Sequence, residues 1–167
     1  MQARRIFLAL LPLAAAACYP RQPVAPPPAP PPAIFIPAPS AEDEARAGRE
    51  RAERFFAEGV GLGRQSRWAE AAERYRLAAQ ADPSDSRYPM ALSQALLSQG
   101  QDWEAANALQ AAIRLDENVT TPNHRVLAVD YDRLIALLTR LNRLDEARQA
   151  QDRLAYHRRM RDAAVQE

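Results

Sequence analysis

Two stretches of this 167-residue sequence repeat each other at a spacing of 34 residues. The residues that recur are Gly59 and Ser93, Leu62 and Leu96, Ala71 and Ala105, Tyr75 and Leu109, Ala78 and Ala112, and Asp82 and Asp116. A period of this length, with small residues at fixed places, is typical of helix–turn–helix units that stack side by side. Such a stack offers a surface to other chains, so the sequence predicts binding rather than catalysis.

The repeated residues resemble those of the tetratricopeptide repeat family. The first unit runs from about residue 52 to 85 and has Pro83 after its second helix, as the family does. The second unit, from about residue 86 to 116, keeps the small residues but has Pro89 at the usual aromatic place and Glu117 at the usual proline place. The resemblance implies an all-α fold, a tetratricopeptide-like stack (α-solenoid) of about three helix–turn–helix units.

A third unit comes into register when the frame is shifted by eight residues, which places Tyr131 in its first helix and Leu154 in its second. About three such units are needed to bury a continuous core. The extra residues fall between Glu117 and Arg125. Within them, Thr121-Pro122 has the pattern of an N-cap followed by proline at the first helical position. We therefore expect part of the insertion to extend the next helix rather than form a long loop.

The first 17 residues have the pattern of a secretory signal peptide, because Arg4 and Arg5 precede a short apolar stretch. That stretch ends in Ala15-Ala16-Ala17 before Cys18, which resembles the processing site of bacterial lipoproteins. The resemblance implies that Cys18 becomes the first mature residue and carries acyl chains such as palmitate, which anchor the protein. Tyr19, in place of aspartate, implies sorting to the outer membrane. Two alternatives remain: a soluble periplasmic protein cleaved after an alanine, and a chain that is never exported.

Proline makes up ten of the twenty residues from Pro20 to Pro39, and such a segment favours extended polyproline II. At about 3.1 Å per residue its length is on the order of 60 Å. A spacer that holds a domain off the membrane is expected over a docking peptide for an aromatic groove. The sequence thus predicts a signal peptide in 1–17, a lipidated cysteine and linker in 18–40, and a helical repeat domain in 41–167.

Charge excludes some classes of partner. All 22 basic residues are arginine, they face 21 acidic residues, and the net charge is +1. A chain so near neutrality gives no electrostatic case for nucleic acid. Some outer-membrane lipoproteins are joined to peptidoglycan through a side-chain amine. A sequence without lysine has no such amine, so any cell-wall association is expected to be noncovalent or through a partner.

The sequence contains no Gly-rich phosphate loop, no paired-cysteine motif and no His-Glu-x-x-His motif. His124 and His157 are its only histidines; neither lies in a nucleophile or metal pattern, and a solvated role is expected for both. Trp68 and Trp103, at the starts of second helices, are expected to seal turns rather than bind a ligand. We therefore predict that the protein is not an enzyme and has no metal and no cofactor.

In the tetratricopeptide-like arrangement, the first helices of successive units line the concave surface, so the resemblance implies a groove there. The lysines and asparagines with which chaperone-binding members of the family hold a peptide carboxylate are missing. A mixed apolar groove with arginines suits an amphipathic helix or an extended segment of a partner. Alternatively, some of these side chains simply pack between units. The candidate groove residues are Phe56, Val60, Arg64, Met90, Gln94, Leu97, Arg133 and Arg140.

Together these features predict an outer-membrane lipoprotein on the periplasmic side that acts as an adaptor or assembly factor and holds a protein partner in its groove. The sequence leaves open a self-associating spacer or coat protein of the envelope, as well as the soluble periplasmic form. It does not identify the partner.

Overall fold

The computed structural model describes residues 40–164, and these residues form six helices without a strand. The signal peptide, Cys18 and the proline-rich linker predicted for residues 1–39 lie outside the described residues, as do residues 165–167. None of the helices in the described part is both long and apolar enough to cross a membrane. The helices are α1 (Ala41–Arg64), α2 (Trp68–Ala81), α3 (Arg87–Ser98), α4 (Asp102–Glu117), α5 (His124–Arg140) and α6 (Leu144–Ala163).

Each helix packs mainly against its neighbours in sequence. Between residues 40 and 164, the extensive helix–helix contacts are α1 with α2, α2 with α3, α3 with α4, α4 with α5, and α5 with α6. In a closed bundle the first and last helices would also meet. The observed pattern is that of three helical hairpins stacked in a row, α1–α2, α3–α4 and α5–α6. The predicted number and pairing of helices are therefore confirmed.

The three hairpins share one turn geometry. A three-residue turn joins the two helices, and its middle residue has a positive φ angle: 60° at Ser66, 75° at Gly100 and 57° at Asn142. This left-handed residue lets the chain reverse while the last helical carbonyls find donors. The amide of the last turn residue donates to a carbonyl five residues earlier: Arg67 to Leu62 at 3.0 Å, Gln101 to Leu96 at 2.9 Å and Arg143 to Leu138 at 2.9 Å.

The eight extra residues of the third unit go mostly into helices, as expected. α5 has 17 residues where α3 has 12, and α4 has 16 where α2 has 14. The connection 118–123 is only one residue longer than the connection 82–86. The predicted helix start at Thr121-Pro122 is wrong, however. Asn123 caps α5, and its side-chain oxygen accepts a hydrogen bond from the amide of Val126 at 3.2 Å. Asparagine is a better N-cap than threonine.

The prolines lie where their missing N–H group is harmless. α2 ends at Ala81, so that Pro83 follows the helix as predicted. Pro89 is the third residue of α3, within the first turn, where amides have no partner inside the helix. Asp85 also contributes here, because its carboxylate accepts a hydrogen bond from the amide of Arg87 at 2.9 Å.

Small residues bring the two helices of a hairpin close together, as the repeat pattern predicted. A Cβ atom added to Gly59 would lie 2.6 Å from Cε1 of Tyr75. In the second hairpin the equivalent residue is Ser93, whose buried hydroxyl donates to the carbonyl of Ala105 at 2.9 Å. Alanine and leucine side chains then form a continuous core from α2 to α6.

Candidate partner-binding groove

A cavity of about 620 Å³ lies between α3 and α5, the first helices of the second and third hairpins. Its volume is within the usual range for ligand pockets. Three buried residues form its floor, and these are Ser93, Leu109 and Leu137. More exposed residues form its rim, and these are Met90, Gln94, Leu97, Arg133, Ala136 and Arg140. We call this cavity the α3–α5 groove.

Helical spacing places the rim residues in two rows. On α3, Met90, Gln94 and Leu97 are four and three residues apart, which puts them on one face of the helix. On α5, Arg133 and Arg140 are seven residues apart and also share a face. The groove thus has a largely apolar side and a basic side.

The two rim arginines are each paired with one aspartate. Arg133 lies 3.2 Å from Asp130, and Arg140 lies 2.8 Å from Asp102 on α4. The arginine side chains are still 66% and 60% exposed. Burial raises the pKa of Asp130, Arg133 lowers it, and Asp116 raises it further. Because a guanidinium has five N–H groups, both arginines keep donors for a carboxylate or a backbone carbonyl.

Five of the eight candidate groove residues line this cavity, but Phe56, Val60 and Arg64 do not. The Phe56 ring packs between the first two hairpins, 5.6 Å from the ring of Tyr75 and 5.5 Å from that of Tyr88. Val60 packs partly buried against the core, and Arg64 is exposed at the end of α1. For Phe56 the structure therefore shows packing between units, and Val60 contributes to the core rather than to the groove.

A difference in side-chain size accounts for the space in the α3–α5 groove. Tyr75 and its repeat equivalent Leu109 occupy the same place in successive hairpins. The tyrosine ring fills space next to Phe56, whereas the smaller Leu109 leaves room and becomes part of the groove floor. In the sequence both residues mark the repeat. Their difference in volume was the signal that could have located the groove.

The expectation that both histidines are solvated is wrong. His157 is only 2% exposed, and its ring stacks on that of Tyr131 with centroids 5.5 Å apart. Its Nε2 lies 2.9 Å from Oε1 of Glu117, and its Nδ1 lies 2.8 Å from Nδ1 of His124. The physical reason is that α6 runs past the end of α4, where Glu117 provides a charged acceptor.

Glu117 joins three helices at this junction. Besides the contact with His157, its carboxylate accepts hydrogen bonds from the Tyr131 hydroxyl at 2.9 Å and from Arg153 at 2.6 Å. Burial alone would raise the pKa of Glu117, but the hydrogen bonds from His157, Arg153 and Tyr131 outweigh it and lower the pKa. Burial likewise raises the pKa of Tyr131 to about 12. Across residues 40–164, no three or more His, Cys, Asp or Glu residues are placed to hold a metal ion.

The two tryptophans lie at turns, as expected. Trp68 is partly buried, and its carbonyl accepts a hydrogen bond from the Gln99 side chain at 3.2 Å. Trp103 is 53% exposed and has the guanidinium of Arg143 over its ring, 4.4 Å from the centroid. Both contacts reach the turn of the following hairpin, so they help to fix the spacing between hairpins.

Comparison with solved structures identifies this architecture as that of tetratricopeptide repeat (TPR) domains. The second TPR domain of Spaghetti (RPAP3), bound to the HSP90 peptide SRMEEVD, is 23% identical, with a TM-score of 0.53 over 68% of this chain and 97% of that chain. The first TPR domain of the same protein, bound to the same peptide, is 21% identical, with a TM-score of 0.51 over 65% of this chain and 80% of that chain. A chain of the CopN-Scc3 complex is 18% identical, with a TM-score of 0.53 over 71% of this chain and 60% of that chain.

At these identities the similarity shows the fold, and it confirms the predicted all-α tetratricopeptide-like stack. No protein-family model matches the sequence, and no characterised protein matches it significantly.

Proposed function

We propose that this chain is a protein-interaction adaptor and that its α3–α5 groove holds a segment of a partner protein. Two of the similar structures hold a peptide, and the third is part of a complex, which supports a protein or peptide ligand for this fold. The observation that carries the proposal is the groove itself: a cavity of about 620 Å³ with a buried floor between two first helices.

The chemistry of the groove favours one kind of segment. Leu109 and Leu137 on the floor accept an apolar side chain, and Leu97 on the rim, 40% exposed, extends the apolar surface. On the other side, Arg133 and Arg140 bind acidic or carbonyl groups. A segment with apolar residues on one face and acidic residues on the other, either helical or extended, satisfies both sides.

Selection from a displayed library of random peptides tests this proposal. We expect the full-length chain to enrich peptides that combine apolar and acidic residues. Leu97→Glu should abolish their binding, because it introduces a charge of the wrong sign for acidic peptides at the apolar rim. Leu144→Glu is the matched control: Leu144 is 48% exposed at the start of α6 and lies outside the groove. Peptides that bind the Leu97 variant as well as the wild type would reject this groove as the site.

We further propose that the adaptor is an outer-membrane lipoprotein, anchored through Cys18 on the periplasmic side. The supporting features are the basic start, the short apolar stretch and a single cysteine directly after four alanines. In this arrangement the proline-rich segment spaces the groove from the membrane. Mass spectrometry of the mature N-terminus tests the anchor, and an unmodified Cys18 would reject it in favour of a soluble protein. The groove experiment is independent of this result.

A further inference from the structure

The two histidines face each other through the same ring atom. Their Nδ1 atoms are 2.8 Å apart, a hydrogen-bond distance, so a proton lies between them. The other ring nitrogen of His157, Nε2, is 2.9 Å from Oε1 of Glu117. Because an ionised carboxylate only accepts hydrogen bonds, Nε2 of His157 carries a hydrogen. The hydrogen-bond pattern therefore fixes most of the protons in this pair.

Counting protons shows how many more the pair accepts. When both rings are neutral, Nδ1 of His157 has a lone pair, and Nδ1–H of His124 donates to it. The first added proton binds Nε2 of His124, and the hydrogen between the two Nδ1 atoms stays between them, on either ring. Every hydrogen bond survives this first step. After a second added proton both Nδ1 atoms carry a hydrogen, and two cations face each other without an acceptor between them.

We infer that the His124–His157 contact is a proton-limited latch between α5 and α6, which accepts one added proton and opens on the second. His124 is the first residue of α5, so opening frees the start of that helix from α6. His157 is 2% exposed and His124 is partly buried, so water screens the charges of the two rings less than it would on the surface.

The charged and titratable groups around the pair do not offset the repulsion between two protonated imidazoles. From α4, Glu117 contributes one negative charge, but Arg153 of α6 already shares it at 2.6 Å. From α5, Tyr131 stacks on His157 and donates its hydroxyl hydrogen to Glu117. From α6, Tyr156 packs edge-on against both imidazoles, at 6.0 Å from His124 and 5.1 Å from His157. No second carboxylate is hydrogen-bonded to either ring within residues 40–164.

The latch predicts a particular dependence of stability on pH. Histidines in an unfolded chain gain a proton at about pH 6.5. Below that pH the unfolded chain binds two protons at these residues and the latched chain binds only one. While the latch stays closed, the equilibrium constant for unfolding should therefore rise about tenfold for each unit by which the pH falls, as linkage of one excluded proton requires. The free energy of unfolding therefore falls as the solution becomes more acidic.

Urea unfolding of the full-length chain between pH 8 and pH 5 measures this dependence. In His124→Gln the remaining His157 can take its proton beside Glu117 without conflict, so the tenfold rise per pH unit should disappear. Arg158→Gln is the control, because it removes the exposed α5–α6 ion pair with Asp132, at 2.9 Å, but keeps both imidazoles. This control should keep the rise. Equal pH dependence in the wild type and His124→Gln would overturn the latch.

Nitrogen NMR of the wild-type imidazoles gives a second reading that does not depend on a variant. The latch predicts that, as pH falls, the two rings take up the first proton together and that the second proton coincides with loss of the α5 start signals. EDTA in the buffer excludes a bridging metal. Two rings that titrate independently while the helix signals persist would refute the proposal.

Discussion

Gly59→Ala tests whether the stability of the first hairpin depends on the close approach of α1 to α2. The added Cβ would lie 2.6 Å from Cε1 and 2.8 Å from Cδ1 of Tyr75. The tyrosine is only 6% exposed, and its ring packs against Phe56 with centroids 5.6 Å apart. The ring is therefore not free to turn aside, and the two helices must separate slightly.

The magnitude follows from two opposing effects. Alanine is more favourable than glycine inside a helix by about 0.8–1.0 kcal/mol. Overpacking of a well-filled core costs about 1–3 kcal/mol. Gly59→Ala should therefore lower the free energy of unfolding by roughly 1 kcal/mol. Gly61 is on the same helix, and a Cβ added there meets no other helix within 4 Å. Gly61→Ala should therefore show only the gain in helix propensity. The difference between the two variants isolates the packing cost of about 1–3 kcal/mol.

Urea unfolding followed by far-ultraviolet circular dichroism measures both variants under identical conditions. A further variant, Tyr75→Leu, introduces the residue that the second hairpin has at this place. In that background Gly59→Ala should become as favourable as Gly61→Ala, because leucine leaves room for the methyl group. Equal stabilisation by Gly59→Ala and Gly61→Ala in the wild-type background would refute the claim that the glycine is there for close approach.

Two further predictions concern the α4–α5–α6 junction. Asn123→Ala should lower the free energy of unfolding by about 1 kcal/mol through loss of the α5 cap, measured in urea, whereas Thr121→Ala should have no effect; the reverse result would restore Thr121 as the cap. Glu117→Gln should lower the free energy of unfolding at pH 7 by about 1.5–3 kcal/mol, because hydrogen bonds to a charged group are lost. The pKa of Glu117 is lowered from 4.5, so its contribution is complete above pH 4.5 and is lost as pH falls through the folded-state value. Acid unfolding curves check this, and a Gln variant with the same loss below pH 4.5 as the wild type would contradict the assignment.

Much of the fold could be predicted because the repeat depends on residues that are close together in the sequence. A glycine or serine where the two helices of a hairpin meet sets the distance between them, and the eight-residue shift placed Leu154 in the last helix. The cap of α5 was mistaken because Thr121 and Asn123 are both acceptable caps and only two residues apart. Local preference alone does not separate such close competitors.

The site was harder to predict because it depends on contacts between distant residues. The groove opens where Leu109 replaces the bulk that Tyr75 supplies one repeat earlier, which is a comparison between hairpins rather than a property of either one. Burial of His157 depends on its meeting Glu117, 40 residues away, across two helices. No sequence motif identifies such a pair, because its two residues come together only when the third hairpin docks.

Because the hairpins are stacked in a row, the two ends of the stack affect the groove differently. A hairpin in such a row is held by its flanking hairpin alone, so unfolding proceeds by loss of terminal units. The cavity is lined by residues of α3, α4 and α5, and none comes from α1 or α2. Fraying of the N-terminal hairpin therefore spares the cavity walls, whereas undocking of the C-terminal hairpin removes one of them.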